Sequence, residues 1–376
     1  VLSTASGLKV EIGDNFEAAL GDEGTGALVT RHEWDSLLSQ SASNVVFLTW
    51  QWQQSWWRHF GSPAGCQLHL LVLRAELGAT VGVAPLFIAR APLPAAKPYV
   101  RGVLRPEGEG KPVRVVRFVG GIDIADYLDV IASPAHLETV WAVTLDYLLD
   151  IRDEWDAIDF HSLPHFSPSR DILQRLGEER GLRFEVFPED VCPVLELPSS
   201  WETYLMSLRK KERHELRRKV RKLEGRDDVR WYLVPPADSG ALEEKMRVFL
   251  TLHKQSGADK AKFMDADMEA YFLQMARDLA DTGWLDLAIL EVAHEPASAY
   301  LSFRYNDRLY LYNSGYNPRF ASYSAGVALL AYRIHKATLQ GLRYFDFLRG
   351  DEPYKYDFGA KDTYVYRALY ASGTSV

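Results

Sequence analysis

The residues best suited to chemistry lie together late in the chain. Segment 349–361 (RGDEPYKYDFGAK) is dense in ionisable and tyrosyl groups. Asp351 and Glu352 follow Gly350 at the exit of a short predicted strand, 343–348, where functional loops gather. Within that strand Asp346 stands between Phe345 and Phe347, where a carboxylate is partly desolvated and its pKa rises unless it is paired, so it is a candidate general base. The alternative is a structural ion pair with Arg343 or Arg349. Lys355, flanked by Tyr354 and Tyr356, is placed to bind an acceptor phosphate or carboxylate, or else is a surface lysine with a buried stem.

A second group of candidates precedes these. Residues 308–316 (RLYLYNSGY) alternate at period two, with Leu309 and Leu311 on one face and Tyr310, Tyr312, Ser314 and Tyr316 on the other, which predicts a strand. Asn317 and Pro318 break it, 319–323 reads as a turn, and Ser324 is the expected N-cap of a helix over 325–340 that Gly341 ends. Val327, Leu330, Ala331 and Ile334 form its apolar stripe. The start of such a helix offers unpaired N–H groups and a positive dipole end, and Gly326 leaves room beside them, so a diphosphate fits there. His253, near the end of a predicted helix over 237–255, is a candidate base or acceptor ligand, against the alternative of a hydrogen-bonded core residue.

Taken in order, the Ser324-Ala325-Gly326 turn after an aromatic strand, the run from Tyr344 through Asp346 to Gly350, and Asp351 through Lys355 resemble the GNAT acyltransferase superfamily. The resemblance is strongest to its CelD-like branch, related to the Fem aminoacyltransferases, and covers residues 191–370. That branch usually has proline where this chain has Ala325. The resemblance implies an acyl-CoA co-substrate, most simply acetyl-CoA, and direct transfer to an amine or hydroxyl acceptor on a small molecule, glycan or cell-envelope precursor. It places the diphosphate on Ser322, Tyr323, Ser324, Ala325, Gly326 and Val327, and the thioester carbonyl near the backbone N–H groups of Ser314, Gly315 and Tyr316. Asp346, Asp351 and Lys355 become the catalytic candidates, and His253, Tyr312, Tyr354 and Trp56 the acceptor-binding ones. The alternatives are a Fem-like transfer from aminoacyl-tRNA and a silent module that holds a glycan or lipid head group.

The elements that position these residues follow from pattern and length. At 376 residues the chain exceeds a usual single core. The expected fold is α+β, two tandem GNAT-like domains, each a mostly antiparallel mixed sheet flanked by helices: a leader at 1–27, a first domain at 28–190 and a second at 191–376. A helix over 201–224 forms a basic arm whose residues 209–222 hold nine Lys or Arg against Glu212 and Glu215, a net of +7. The chain totals −8, which leaves −15 elsewhere. The arm is a candidate clamp for a polyanion, or a solvated helix face. Trp50, Trp52, Trp56 and Trp57 fall on a predicted helix over 50–60, either as core or with one ring free to stack on a sugar. His161 and His165 lack a Cys or carboxylate at ligand spacing, so no metal is expected. Cys66 and Cys192 are too few for a disulfide framework, and no apolar run spans a bilayer, so the expected compartment is the cytoplasm.

Overall fold

The computed structural model describes residues 2–3, 8–21, 26–93, 99, 101, 111–121 and 123–371. The proline-rich sequence 91–112, with its Gly108-Glu109-Gly110 bend, predicts a long surface loop; much of it, and parts of the leader, lie outside the described residues. Contacts divide the chain into two compact units, residues 1–191 with 364–376, and residues 192–363. Each is a mostly antiparallel sheet flanked by helices, as the α+β reading requires. The segment 364–376 was expected to close the second domain. Through its residues up to Ala371 it pairs instead with a strand of unit 1.

In unit 1 the strands β1 (Lys9–Gly13), β2 (Gln67–Arg74), β3 (Thr80–Ala91), β4 (Val113–Phe118) and β5 (Ala157–Pro164) are neighbours in that order. All pairs are antiparallel except β4 with β5, which run parallel through Val115–Ala157 and Val116–Ile158. Helices α1 (Arg31–Ser39), α2 (Trp50–Trp56), α3 (Leu137–Asp150) and α4 (Ser169–Glu179) belong to this unit. Thr30 and Glu33 close α1 in a capping box, and Thr49 caps α2. The residue pattern predicts a strand at 127–131, which the structure reduces to the pair Ile131–Ala132. It also predicts two short strands at 183–187 and 192–197; they are one, β6 (Glu185–Glu196), because Pro188, Glu189 and Asp190 between them keep extended backbone.

Unit 2 contains residues 192–196 of β6, then α5 (Trp201–Ser207), α6 (Lys210–Leu223), β7 (Val229–Leu233), α7 (Ser239–Gln255), α8 (Ala258–Phe263), α9 (Ala266–Ala280), β8 (Leu285–Val292), β9 (Glu295–Tyr305), β10 (Arg308–Tyr316), α10 (Ala325–Leu339), β11 (Tyr344–Asp346) and α11 (Pro353–Asp357). The last strand, β12 (Lys361–Ala371), leads back to unit 1. The sheet order is β6, β11, β10, β9, β8, β7, antiparallel except for β10 with β11. The single arm expected over 201–224 breaks at Leu208, whose extended backbone (ψ 146°) separates α5 from α6 and lets its side chain bury.

Helix α10 buries Ala328, Leu329, Leu330, Ala331, Ile334 and Ala337 against one face of this sheet with Leu309, Leu311, Leu216 and Phe345; Val327 of the expected stripe is only partly covered. Each fully buried leucine contributes roughly 2 kcal/mol. Gly341 (φ 73°) ends the helix, and the N–H of Leu342 returns to the carbonyl of Ala337, the hydrogen-bond closure of a left-handed C-terminal turn. Helices α7 and α9 cover the other face, where Tyr312 stacks between Phe272 and Phe303.

Candidate active site

The site is built on β10. This strand is paired with β9 along its length, but with β11 only through Arg308–Tyr344, Leu309–Phe345 and Tyr310–Asp346. Beyond Tyr310 the two parallel strands part. A register shift opposite Leu301 and Ser302 leaves Tyr312 as an extra residue in β10, and such a bulge bends and twists the strand that carries it. The outcome is a strand end, residues 311–316, with one ladder edge open.

The Asn317 N–H donates to the Ala297 carbonyl, so by alternation Gly315 faces β9 while Ser314 and Tyr316 turn their backbone groups to the open edge. Three side chains meet them there. The Ser314 carbonyl accepts from His253 Nδ1 (2.9 Å) and Lys260 Nζ (2.8 Å). The Tyr316 N–H donates to Ser256 Oγ at 2.9 Å, so it is already engaged, contrary to the expectation that it polarises a substrate carbonyl. Gly315 is required by packing, not by a ligand: a Cβ there would lie 2.5 Å from the backbone nitrogen of His253.

His253 is 2% exposed, and its Nε2 finds no partner among the described residues. Burial, and next the charge of Lys260, push the imidazole pKa down to about 4, so the ring is neutral at ordinary pH. Burial also lowers Lys260, against the opposing field of Glu352. Sequence reasoning missed Lys260 and Ser256, because nothing in the pattern of α8 marks a lysine folded back onto a strand end.

Downstream, Asp346 is fully buried. Its Oδ2 accepts from Arg308 Nη1 (2.7 Å) and its Oδ1 from the Leu348 N–H (2.9 Å). Arg308, which the sequence did not suggest, is a partner because the parallel register sets residue 308 two positions from the one beside Asp346. Leu348 has φ 55°, a left-handed conformation that costs a branched side chain of order 1 kcal/mol. Lys355 is 2% exposed. Its Nζ donates to the carbonyls of Leu348 (3.3 Å), Arg349 (2.7 Å) and Gly350 (2.9 Å) and pairs with Glu352 at 2.9 Å. It is thus a buried clamp on the 348–350 loop, unlike the surface lysine that was the alternative. Asp346 from below and Lys355 from above fix the loop that presents half-buried Asp351.

The helix start differs from its prediction in the same informative way. Residues Pro318–Tyr323 form a 3-10 turn capped by the Asn317 side chain. Ser324 sits in the left-handed region (φ 54°) and its hydroxyl caps nothing. The N–H groups of Ala325, Gly326 and Val327 find no acceptor among the described residues. Lys222 of α6 donates to the Ser322 carbonyl and lies over the Tyr323 ring with Arg226, which brings positive charge to this end of α10. Beside it a cavity of about 180 Å³ is lined by Leu216, Lys219, Val327, Tyr354 and Phe358, among others. Burial raises the Tyr354 phenol well above its usual pKa, so it stays protonated.

Trp56 belongs elsewhere. It is 6% exposed in unit 1 and packs on Trp57, Phe60 and Phe87, so it is a core residue. His161 lies in the same unit, held between Asp159 (2.8 Å) and Glu189 (2.7 Å). No cluster able to hold a metal occurs among the described residues.

Residues 210–356 match the profile of the acetyltransferase (GNAT) domain family. The crystal structure of FemX superposes with a TM-score of 0.59 at 11% identity, covering 90% of this chain and 96% of that one. A conserved protein of unknown function from Bacteroides thetaiotaomicron VPI-5482 gives 0.55 at 12% (96% and 100% covered), and L-PGS from Bacillus licheniformis 0.52 at 13% (92% and 93%). At these identities the likeness is one of fold. No curated protein matches the chain.

Proposed function

We propose that unit 2 transfers an acyl group from a thioester of the acyl-CoA type directly to an amine or hydroxyl acceptor, without a covalent enzyme intermediate. The observation that carries this reading is the parting of β10 from β11 beyond Tyr310, next to a helix whose first three N–H groups are unmatched. An extended donor added along the open edge of β10 would bring its carbonyl to the Ser314 N–H, which stabilises the oxyanion that forms on attack. Its diphosphate would rest on Ala325, Gly326 and Val327, with Lys222 adding charge.

The chain's own groups then divide the work. Asp351 takes the proton of the attacking acceptor, while Asp346 and Lys355 position the loop that carries it. His253 and Lys260 fix the strand end, and neutral His253 receives a hydrogen bond from the acceptor through Nε2. Tyr354 and Val327 wall the cavity that takes the apolar arm of the donor. The motifs around Tyr344 to Gly350 favour the CelD-like branch, and acetyl is the simplest acyl group. Cys66 and Cys192, neither in a disulfide, suit a reducing compartment such as the cytoplasm.

Thermal unfolding with acetyl-CoA tests the reading. Ligand at a hundred times its dissociation constant adds ~2.7 kcal/mol of stability. An unmoved transition at millimolar acetyl-CoA would speak for a silent module instead.

A further inference from the structure

The acyl-transfer reading uses Lys222 and the side of α6 that lines the cavity, and leaves the solvent face of this helix unexplained. Its apolar side is spent: Leu216 and Leu223 are 5% and 2% exposed within the core of unit 2. On the opposite side Lys210, His214, Arg217 and Arg221 follow at intervals of four, three and four residues, which sets them in one line along the helix. At 1.5 Å per residue that line is roughly 16 Å long. Lys211 and Arg218 flank it. Arg218 is paired with Glu215, and Arg209 with Glu212. Lys210, Lys211, Arg217 and Arg221 make no ion pair among the described residues, in a chain whose remaining residues sum to −15.

Unpaired like charges held in line on a rigid helix repel one another. Such an arrangement is relieved by an anionic partner with charges over a similar length. We infer that the solvent face of α6 docks this protein on a bilayer rich in anionic phospholipid. Two observations favour a lipid surface over a nucleic acid. Residues 209–222 contain no Phe, Tyr or Trp on which successive bases could stack. Met206, 64% exposed and four residues before Lys210, supplies an apolar side chain of the kind that enters a head-group layer. Association is peripheral, since no described helix is long and apolar enough to cross a membrane. The acidic remainder is repelled by the same surface, which orients the molecule with α6 toward it.

Co-sedimentation of the full chain with vesicles tests this. Binding is expected to vesicles of equal parts phosphatidylglycerol and phosphatidylcholine, to weaken with added salt, and to be absent with phosphatidylcholine alone. The triple variant Lys210→Gln, Arg217→Gln, Arg221→Gln should bind about a hundredfold more weakly, each charge contributing as basic residues near an anionic surface do. Its thermal midpoint reports whether it folds. Glu215→Gln removes the one carboxylate flanking the line and should tighten binding about fivefold. The inference is overturned by equal binding to neutral vesicles, by no binding to anionic ones, by an unchanged triple variant, or by salt-sensitive capture of an RNA homopolymer where anionic vesicles fail. Acetyl-CoA binding is read separately, so either result leaves the acyl-transfer test intact.

Discussion

The large sheet contributes one described parallel strand pair to each unit, and the two finish it differently. In unit 1 the chain leaving β4 passes through Gly120 (φ 124°) and Gly121 (φ 72°), and side chains fill the space at once. A Cβ on Gly121 would lie 2.5 Å from Trp56 Nε1, and Gln53 Nε2 donates to the carbonyls of Val119 (3.1 Å) and Phe47 (2.8 Å). Nearby, buried Asp129 accepts from the hydroxyls of Ser43, Ser167 and Ser169 and from the Val130 N–H. In unit 2 the exit of the corresponding pair keeps three helix N–H groups and the His253 Nε2 without acceptor or donor among the described residues. Unit 1 also holds unmatched buried atoms, Gln53 Oε1 and Ser55 Oγ, but these lie singly in its packed core, whereas in unit 2 three N–H groups open one helix together, which is where an anion is expected. Unit 1 reads as scaffold, unit 2 as the unit that reacts.

The strongest way to break this contrast is to remove a charge from each side. Asp351→Asn should lower kcat by about a hundredfold to ten-thousandfold, the usual contribution of a proton acceptor, with the unfolding midpoint unchanged. Steady-state acyl transfer and thermal melting measure both. Asp159→Ala in unit 1 should do the opposite. It strands Arg367 (4% exposed) and His161 (5% exposed) without their shared carboxylate, which costs ~3–5 kcal/mol in urea unfolding, while the folded fraction keeps its kcat. If Asp159→Ala abolished turnover in folded protein, the division of labour would fail.

Acidification sharpens the same contrast. The His253 pKa is depressed in the folded state, so the unfolded chain binds the extra proton first. The associated stability is full above pH ~6.5 and is lost as pH falls toward ~4, about 3 kcal/mol in all. Asp159 titrates far lower, held down by His161 and Arg367 against its burial, and adds no loss in that window. Stability of wild type minus His253→Gln, measured from pH 7 to pH 4, should therefore shrink with acid. The smallest effect is expected at Trp56→Phe, about 1 kcal/mol of stability and no change in KM, since the ring fills the core of unit 1.

The sequence made some of this readable and hid the rest for physical reasons. The strand Arg308–Tyr316, the helix that follows and its glycine stop were visible because period two, period 3.6 and a left-handed terminus are local properties. The partner of Asp346 was not, because it depends on which residues a parallel register sets side by side. Lys355 read as an acceptor ligand or a surface lysine, and its role as a clamp on the 348–350 loop depends on the loop having folded around it. Ser324 has the composition of a cap but the backbone of a left-handed turn, and composition alone does not distinguish them. The charge of α6 was legible throughout; the break at Leu208 that shortens it was not.

The central claim is that the amide hydrogens opening α10 receive the donor's diphosphate. Backbone amide NMR of the protein titrated with acetyl-CoA tests it directly. The account predicts saturable downfield shifts of the Ala325, Gly326 and Val327 amides, matched by loss of affinity when the diphosphate is absent, as in acetyl-pantetheine. Saturable binding of acetyl-CoA that leaves those three amides unmoved would contradict it.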